Sequence, residues 1–192
     1  AFEMAHERWP DAILIYNDYN TFQWNRSQFI DLVKILRDAG APIDAYGCQS
    51  HDLTDLDINN FKSYMTEIQN ALKMPMYSTE YDINHESDDK QLQRYKEQIP
   101  YMWESDYCAG VTLWGYIYGK TWIDHSGIIK DSKDRPAMTW LREYMRSDKA
   151  KNAKSPFPGM TKEASVYIKP STFTPTLGAP FTITVRSRMK TK

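Results

Sequence analysis

With 192 residues, 41% of them hydrophobic, the chain is long enough for one globular domain with a real core and a short appendage, which excludes a disordered protein. Its 24 basic and 25 acidic residues nearly cancel, and no Lys/Arg run exceeds two residues before the extreme C-terminus, so nucleic acid is not an expected partner. No apolar stretch approaches the roughly 20 residues needed to cross a bilayer, and Ala1 to Pro10 lacks the basic-then-apolar layout of a signal peptide.

Ala1 to Trp9 reads as a helix already under way. Apolar runs rich in β-type residues follow at Ala12 to Tyr16, Ala45 to Cys48, Pro75 to Thr79 and Ala109 to Trp114, each succeeded by a helix-period segment. Phe29, Leu32, Val33 and Leu36 share one helical face, and Gly40-Ala41-Pro42 stops that helix. Phe61, Tyr64, Met65, Ile68 and Leu72 share another, with Asp57 as its N-cap. A third helix is predicted from about Ser87 to Ser105, kinked at Pro100, and a fourth from Ala137 to Met145 behind Pro136. The strand centres recur about every thirty residues, the spacing of right-handed βαβ units in a parallel sheet. The fold class is therefore α/β, either an open doubly wound sheet or part of a (β/α)8 barrel, and the glycine-rich phosphate signatures of the first are absent.

After Met145 the composition shifts to Lys, Ser and Pro. Residues 1–150 are read as the α/β body, 151–164 as a linker containing Ser155-Pro156-Phe157-Pro158-Gly159, and 165–192 as a β-rich tail. Ser165 to Ile168 and Phe181 to Val185 alternate as two strands, either the start of a truncated β-sandwich or a flap. Cys48 and Cys108 lie in apolar strand contexts and read as core thiols. Asp55-x-Asp57-x-Asn59 lacks the Gly and Glu of a calcium loop and reads as helix capping; His85 and His125 have no partner at metal-ligand spacing.

Each strand ends in polar residues that a parallel core strand has no reason to carry: Asn17-Asp18-Tyr19-Asn20, Gln49-Ser50-His51, Glu80-Tyr81-Asp82, and Trp114 leading on to Trp122. In a barrel such ends converge on one face, where catalytic groups sit. Glu80 points toward the mouth with Asp82 two residues on, and His51 on the neighbouring strand is placed to donate a hydrogen bond to Glu80. An aromatic content of 14%, with 6 Trp and 13 Tyr, suits a cleft for sugars.

Four motifs in order carry a resemblance: Ile15-Tyr16-Asn17-Asp18-Tyr19-Asn20, Tyr46-Gly47-Cys48-Gln49-Ser50-His51, Ser78-Thr79-Glu80-Tyr81-Asp82, and Val111-Thr112-Leu113-Trp114-Gly115 followed by Thr121-Trp122. Together with Arg135-Pro136-Ala137 they resemble glycoside hydrolase family 10, the endo-β-1,4-xylanases, over Ala1 to Met145. The resemblance implies the C-terminal half of a (β/α)8 barrel, about strands five to eight, acting on xylan or xylo-oligosaccharides by a retaining mechanism. Glu80 is then the nucleophile, positioned and tuned by His51 and Asp82. Gln49, Trp114, Trp122, Tyr19 and Asn17 are the implied substrate-binding residues.

Retention needs a second carboxyl group about 5–5.5 Å from the first. The family carries it on a strand that would precede Ala1, so an upstream segment holding strands one to four is the expected partner. Asp18 and Asp124 are poor substitutes in their loops, and Asp82 is too close to Glu80 in sequence to face it across a sugar. A half barrel is expected to expose sheet edges and a large apolar surface. No metal or cofactor is expected. A polymer substrate places the protein outside the cytoplasm, secreted or periplasmic. Two rival readings remain: a non-catalytic glycan-binding half-barrel module, and a retaining barrel glycosidase for another β-glycan.

Overall fold

The structure is a computed structural model that describes residues 1–162, 167–170 and 183–186. In chain order its main elements are α1 (Phe2–Arg8), β1 (Ile15–Asp18), α2 (Arg26–Asp38), β2 (Ala45–Cys48), α3 (Ile58–Leu72), β3 (Met76–Tyr81), α4 (Asp88–Trp103) and β4 (Cys108–Leu113). A two-residue hairpin of β5 (Ile129–Lys130) and β6 (Lys133–Asp134) leads to α5 (Pro136–Tyr144) and α6 (Asp148–Lys151). Beyond them β7 (Tyr167–Pro170) pairs antiparallel with β8 (Ile183–Arg186), each starting two residues after the strands predicted there.

Strands β1 to β4 form one parallel sheet in sequential order, so β1 and β4 each have a neighbour on one side only. The predicted helices fall where expected. Asp57 caps α3 by accepting from the Asn59 and Asn60 amides at 2.9 and 3.2 Å, which satisfies two of the orphan donors at that end. Helix α4 continues through Pro100 to Trp103. The first strand is displaced toward the C-terminus, Ile15–Asp18 in place of Ala12 to Tyr16, because pairing with β2 recruits Asn17 and Asp18.

The core lies between the sheet and α2, α3 and α4. Tyr46, Cys48, Met76, Tyr81 and Cys108 are buried on that side with Val33, Phe61, Met65, Ile68 and Met102. Tyr46 donates its hydroxyl to Gln69 of α3 and Tyr81 to Gln98 of α4, so both buried phenols have partners. Both cysteines are unpaired and buried, and burial pushes the Cys108 thiol up to about 11. The opposite face is different: Asn17, Gly47, Tyr77, Thr79, Gly110 and Thr112 lie there by the alternation of the strands. Toward the C-terminal ends of the strands this face is made of small and polar residues, with Tyr77 as its large aromatic side chain.

The stretch read as a linker is packed against the body. Phe157 lies over Tyr77, ring centroids 6.3 Å apart, and just ahead of the stretch Trp103 donates its indole N–H to the Ala150 carbonyl at 2.9 Å. Lys162 is buried and gives its ammonium to the carbonyls of Trp103 and Ser105 at 2.7 and 2.6 Å. Burial lowers the pKa of that ammonium, against the pull of Cys108 and Asp106. No helix among the described residues is long and apolar enough to cross a membrane.

Candidate active site

The C-terminal ends of β2 and β3 bring three predicted residues into one chain of hydrogen bonds. His51 opens a short 3-10 turn directly after β2, behind Ser50, which adopts a left-handed backbone (φ 75°). Ser50 tolerates that conformation because its hydroxyl is held by the Cys48 carbonyl at 3.0 Å and Ser78 Oγ at 2.8 Å. In β3 the pairing with β4 shifts register between Ser78 and Tyr81. The irregularity breaks strict alternation: Tyr81 turns to the helices, while Glu80 and Asp82 both reach His51.

His51 Nε2 lies 3.2 Å from Glu80 Oε2 and Nδ1 lies 3.0 Å from Asp82 Oδ1. Asp82, with its side chain 1% exposed, also accepts the Trp122 indole N–H through Oδ2 at 2.6 Å. Two carboxylates facing two ring nitrogens are satisfied together only by an imidazolium, which has an N–H at each. Burial pulls the His51 pKa down, but the bonds and charges of Asp82 and Glu80 outweigh it and raise the pKa above its ordinary value. The same environment fixes the ring, with Trp122 set edge-on 4.8 Å from it and Trp114 6.5 Å away.

Tyr19, Asn20, Gln49, His51, Trp114 and Trp122 line a cleft of about 390 Å³ over these strand ends. Tyr19, Trp114 and Trp122 remain 56%, 45% and 62% exposed, large aromatic surfaces left open above a buried charged cluster. Of the residues predicted to bind substrate, Asn17 stands apart from this lining: its amide oxygen accepts the Thr79 hydroxyl at 2.7 Å across Gly47. A side chain at position 47 would meet Asn17 Oδ1 at 2.6 Å, which is why glycine stands there. Asn20, unassigned from sequence, lines the cleft from a left-handed position (φ 55°) that asparagine tolerates better than most residues.

Asp18 is committed locally, accepting from the Tyr16 hydroxyl at 3.0 Å and the Tyr19 amide at 2.8 Å. The loop after β1 is anchored by buried Asp52, whose Oδ2 accepts the Phe22 and Gln23 amides at 3.0 and 2.8 Å. Burial raises the Asp52 pKa against those amide bonds, and its Oδ1 has no partner among the described residues. Among the described residues no group of three or more His, Cys, Asp or Glu is placed to hold a metal ion. His85 instead faces Asp55 at 3.4 Å and His125 meets the Tyr118 hydroxyl at 2.7 Å.

The model of glycosyl hydrolase family 10 matches residues 1–147. The chain is 41% identical over 141 residues to endo-1,4-beta-xylanase B of Cellvibrio japonicus, covering 73% of this chain and 23% of that protein. It is 35% identical over 144 residues to an endo-1,4-beta-xylanase of Geobacillus stearothermophilus, covering 65% and 43%. Among solved structures, a thermostable mutant of a xylanase from Cellvibrio japonicus superposes with a TM-score of 0.66 at 25% identity, over 76% of this chain and 53% of that one. The intracellular xylanase of Thermoanaerobacterium saccharolyticum gives 0.63 at 29% identity, over 72% and 46%. The chain thus spans about half or less of the length of these relatives, and its four β/α units are part of a (β/α)8 barrel.

Proposed function

The chain belongs to glycosyl hydrolase family 10, and from that premise we propose that it supplies the nucleophile half of a retaining endo-β-1,4-xylanase, with Glu80 as the nucleophile. The observation that carries this reading is the bonded series Trp122, Asp82, His51, Glu80 beneath an aromatic cleft. His51 engages Glu80 through Oε2, leaving Oε1 for the anomeric carbon. A hydrogen bond to one carboxylate oxygen orients the group while the other attacks. Asp82 keeps both His51 protons in place by accepting at Nδ1. Trp114 and Trp122 supply flat faces on which a xylose ring can stack, with Gln49 as a polar contact and Tyr19 beyond them.

In this reading β1 to β4 are strands five to eight of the barrel, and an upstream segment carrying strands one to four provides the acid/base carboxyl about 5–5.5 Å from Glu80. That group protonates the departing sugar oxygen, and Glu80 forms the glycosyl-enzyme. The acid/base group then deprotonates the water that releases it. A polymeric substrate argues for a secreted or periplasmic protein.

The test is release of reducing ends from xylan by the chain joined with the segment that completes its barrel. Glu80→Ala is expected to lower turnover by about 10⁴-fold or more while oligosaccharide binding persists. Azide added to that variant should restore cleavage of an activated xyloside and give the azide of inverted configuration. Undiminished activity in Glu80→Ala would remove the nucleophile assignment, and binding without turnover in the completed wild-type barrel would favour a glycan-binding module.

A further inference from the structure

Behind the cleft, Arg135 is buried at the start of α5, 4% exposed, in contact with three separate segments. Its guanidinium donates to the carbonyls of His125 and Gly127 at 2.8 and 2.7 Å in the loop after β4. It donates to the carbonyls of His85 and Glu86 at 2.9 and 3.1 Å in the loop after β3, and to Asp88 Oδ1 at 2.7 Å in the first turn of α4. Buried Gln91 repeats the link, its amide nitrogen within 3.1 Å of the Ile83 and His125 carbonyls and 3.3 Å of Ser126. Asn84 Oδ1 accepts the His125 amide at 2.9 Å.

Arg135 and Gln91 each bridge the loop after β4 to the loop after β3, and the Asn84–His125 bond joins the two loops directly. The two loops present toward the cleft the two ends of a single hydrogen bond, the Trp122 indole N–H and Asp82 Oδ2. Asp82 in turn holds His51. We propose that Arg135 is a positioning residue that, with Gln91 and Asn84, sets the Trp122–Asp82 bond and thereby the pose of the Trp122 ring and of His51. Its consequence for catalysis rests on the Glu80 reading; its consequence for the bond does not.

The residue type fits the task. A guanidinium offers five donors in a rigid planar fork, whereas an ammonium is a compact point with three. The loop backbone also comes close enough to be gripped: a Cβ at Gly127 would collide with the Tyr118 backbone, so the chain there folds tightly on itself in front of Arg135. Lysine at 135 would keep the charge and lose the simultaneous reach to both loops.

The experiment uses the 192-residue chain labelled with ¹⁵N-tryptophan, with the Trp122 signal assigned by Trp122→Phe. In Arg135→Lys the Trp122 indole N–H is expected to move toward its solvent position and to exchange with solvent about tenfold faster or more, as a locally opened bond does. The amides of β2 and β3 should keep their protection. An indole signal unchanged in position and exchange would overturn the proposal. So would a loss of strand protection in step with the indole, which would make Arg135 a general support of the fold. If Arg135→Lys does not fold, Asn84→Ala removes only the acceptor of the His125 amide and is read by the same two outcomes. None of these signals depends on xylan being cut, so they stand or fall apart from the nucleophile assignment.

Discussion

On the helix side of the sheet, Tyr46, Cys48, Met76 and Cys108 are sealed under α2, α3 and α4 among mostly apolar neighbours, with the Tyr46 and Tyr81 hydroxyls paired. On the other side Asn17, Gly47, Thr79, Gly110 and Thr112 present small or polar groups around Tyr77, and Thr79 reaches Asn17 by a hydroxyl-to-amide bond over Gly47. The difference teaches where the two properties of the molecule reside. Burial of apolar surface, the main favourable term in folding, is concentrated between sheet and helices. The polar groups of the candidate site stand at or just beyond the strand ends, where hydrogen bonds hold them. Four β/α units thus place their core on the helix side and leave the inner face largely outside it.

The largest effect should come from opening the helix side. Phe61 is 0% exposed and packs against Phe22 and Tyr101 with ring centroids at 5.5 and 5.8 Å. Phe61→Ala is expected to cost about 3–5 kcal/mol, transfer and cavity together. Denaturant unfolding should show it as a lower midpoint at unchanged slope. A cost below about 1 kcal/mol would mean that the helix side does not dominate stability.

A smaller effect at the mouth should carry a pH signature. His51 has a folded-state pKa above its ordinary value, so its bonds to Asp82 and Glu80 stabilise the fold most below the unfolded pKa of about 6.5. That contribution fades as pH rises through the raised folded value. Unfolding curves from pH 5.5 to 8.5 should therefore show the wild type losing stability, relative to His51→Gln, as pH increases. Equal pH dependence in the two proteins would show that the imidazolium is not held between the carboxylates.

The strand and helix order could be read from hydrophobic period, and the convergence of Glu80, His51 and Asp82 from polar residues at successive strand ends. These are the properties that repeat along a chain. The register shift in β3 could not be read, because Ser78-Thr79-Glu80-Tyr81 alternates as well as any regular strand; only pairing with β4 reveals it. The packing of Lys162 was equally hidden, since lysine next to a Ser- and Pro-rich stretch is ordinarily solvated, and two carbonyls at the end of α4 capture it. Arg135 was legible only as part of Arg135-Pro136-Ala137. Its five acceptors include four backbone carbonyls, and carbonyls leave no mark in a sequence.

The smallest effect tests the inner face itself. Thr79→Val removes the hydroxyl that Asn17 accepts at 2.7 Å and keeps the side-chain shape, including the methyl that sits over Gly47. Asn17 is exposed, so its amide oxygen regains water and no buried group is left without a partner. The expected loss is therefore that of one ordinary hydrogen bond, about 0.5–1 kcal/mol, with the unfolding slope unchanged. Gly47→Ala at the same spot should cost more, because the new methyl meets Asn17 Oδ1 at 2.6 Å and must displace it. If Thr79→Val instead cost about as much as Phe61→Ala, the inner face would belong to the core of these four units, and the separation of stability from the reacting edge would fail.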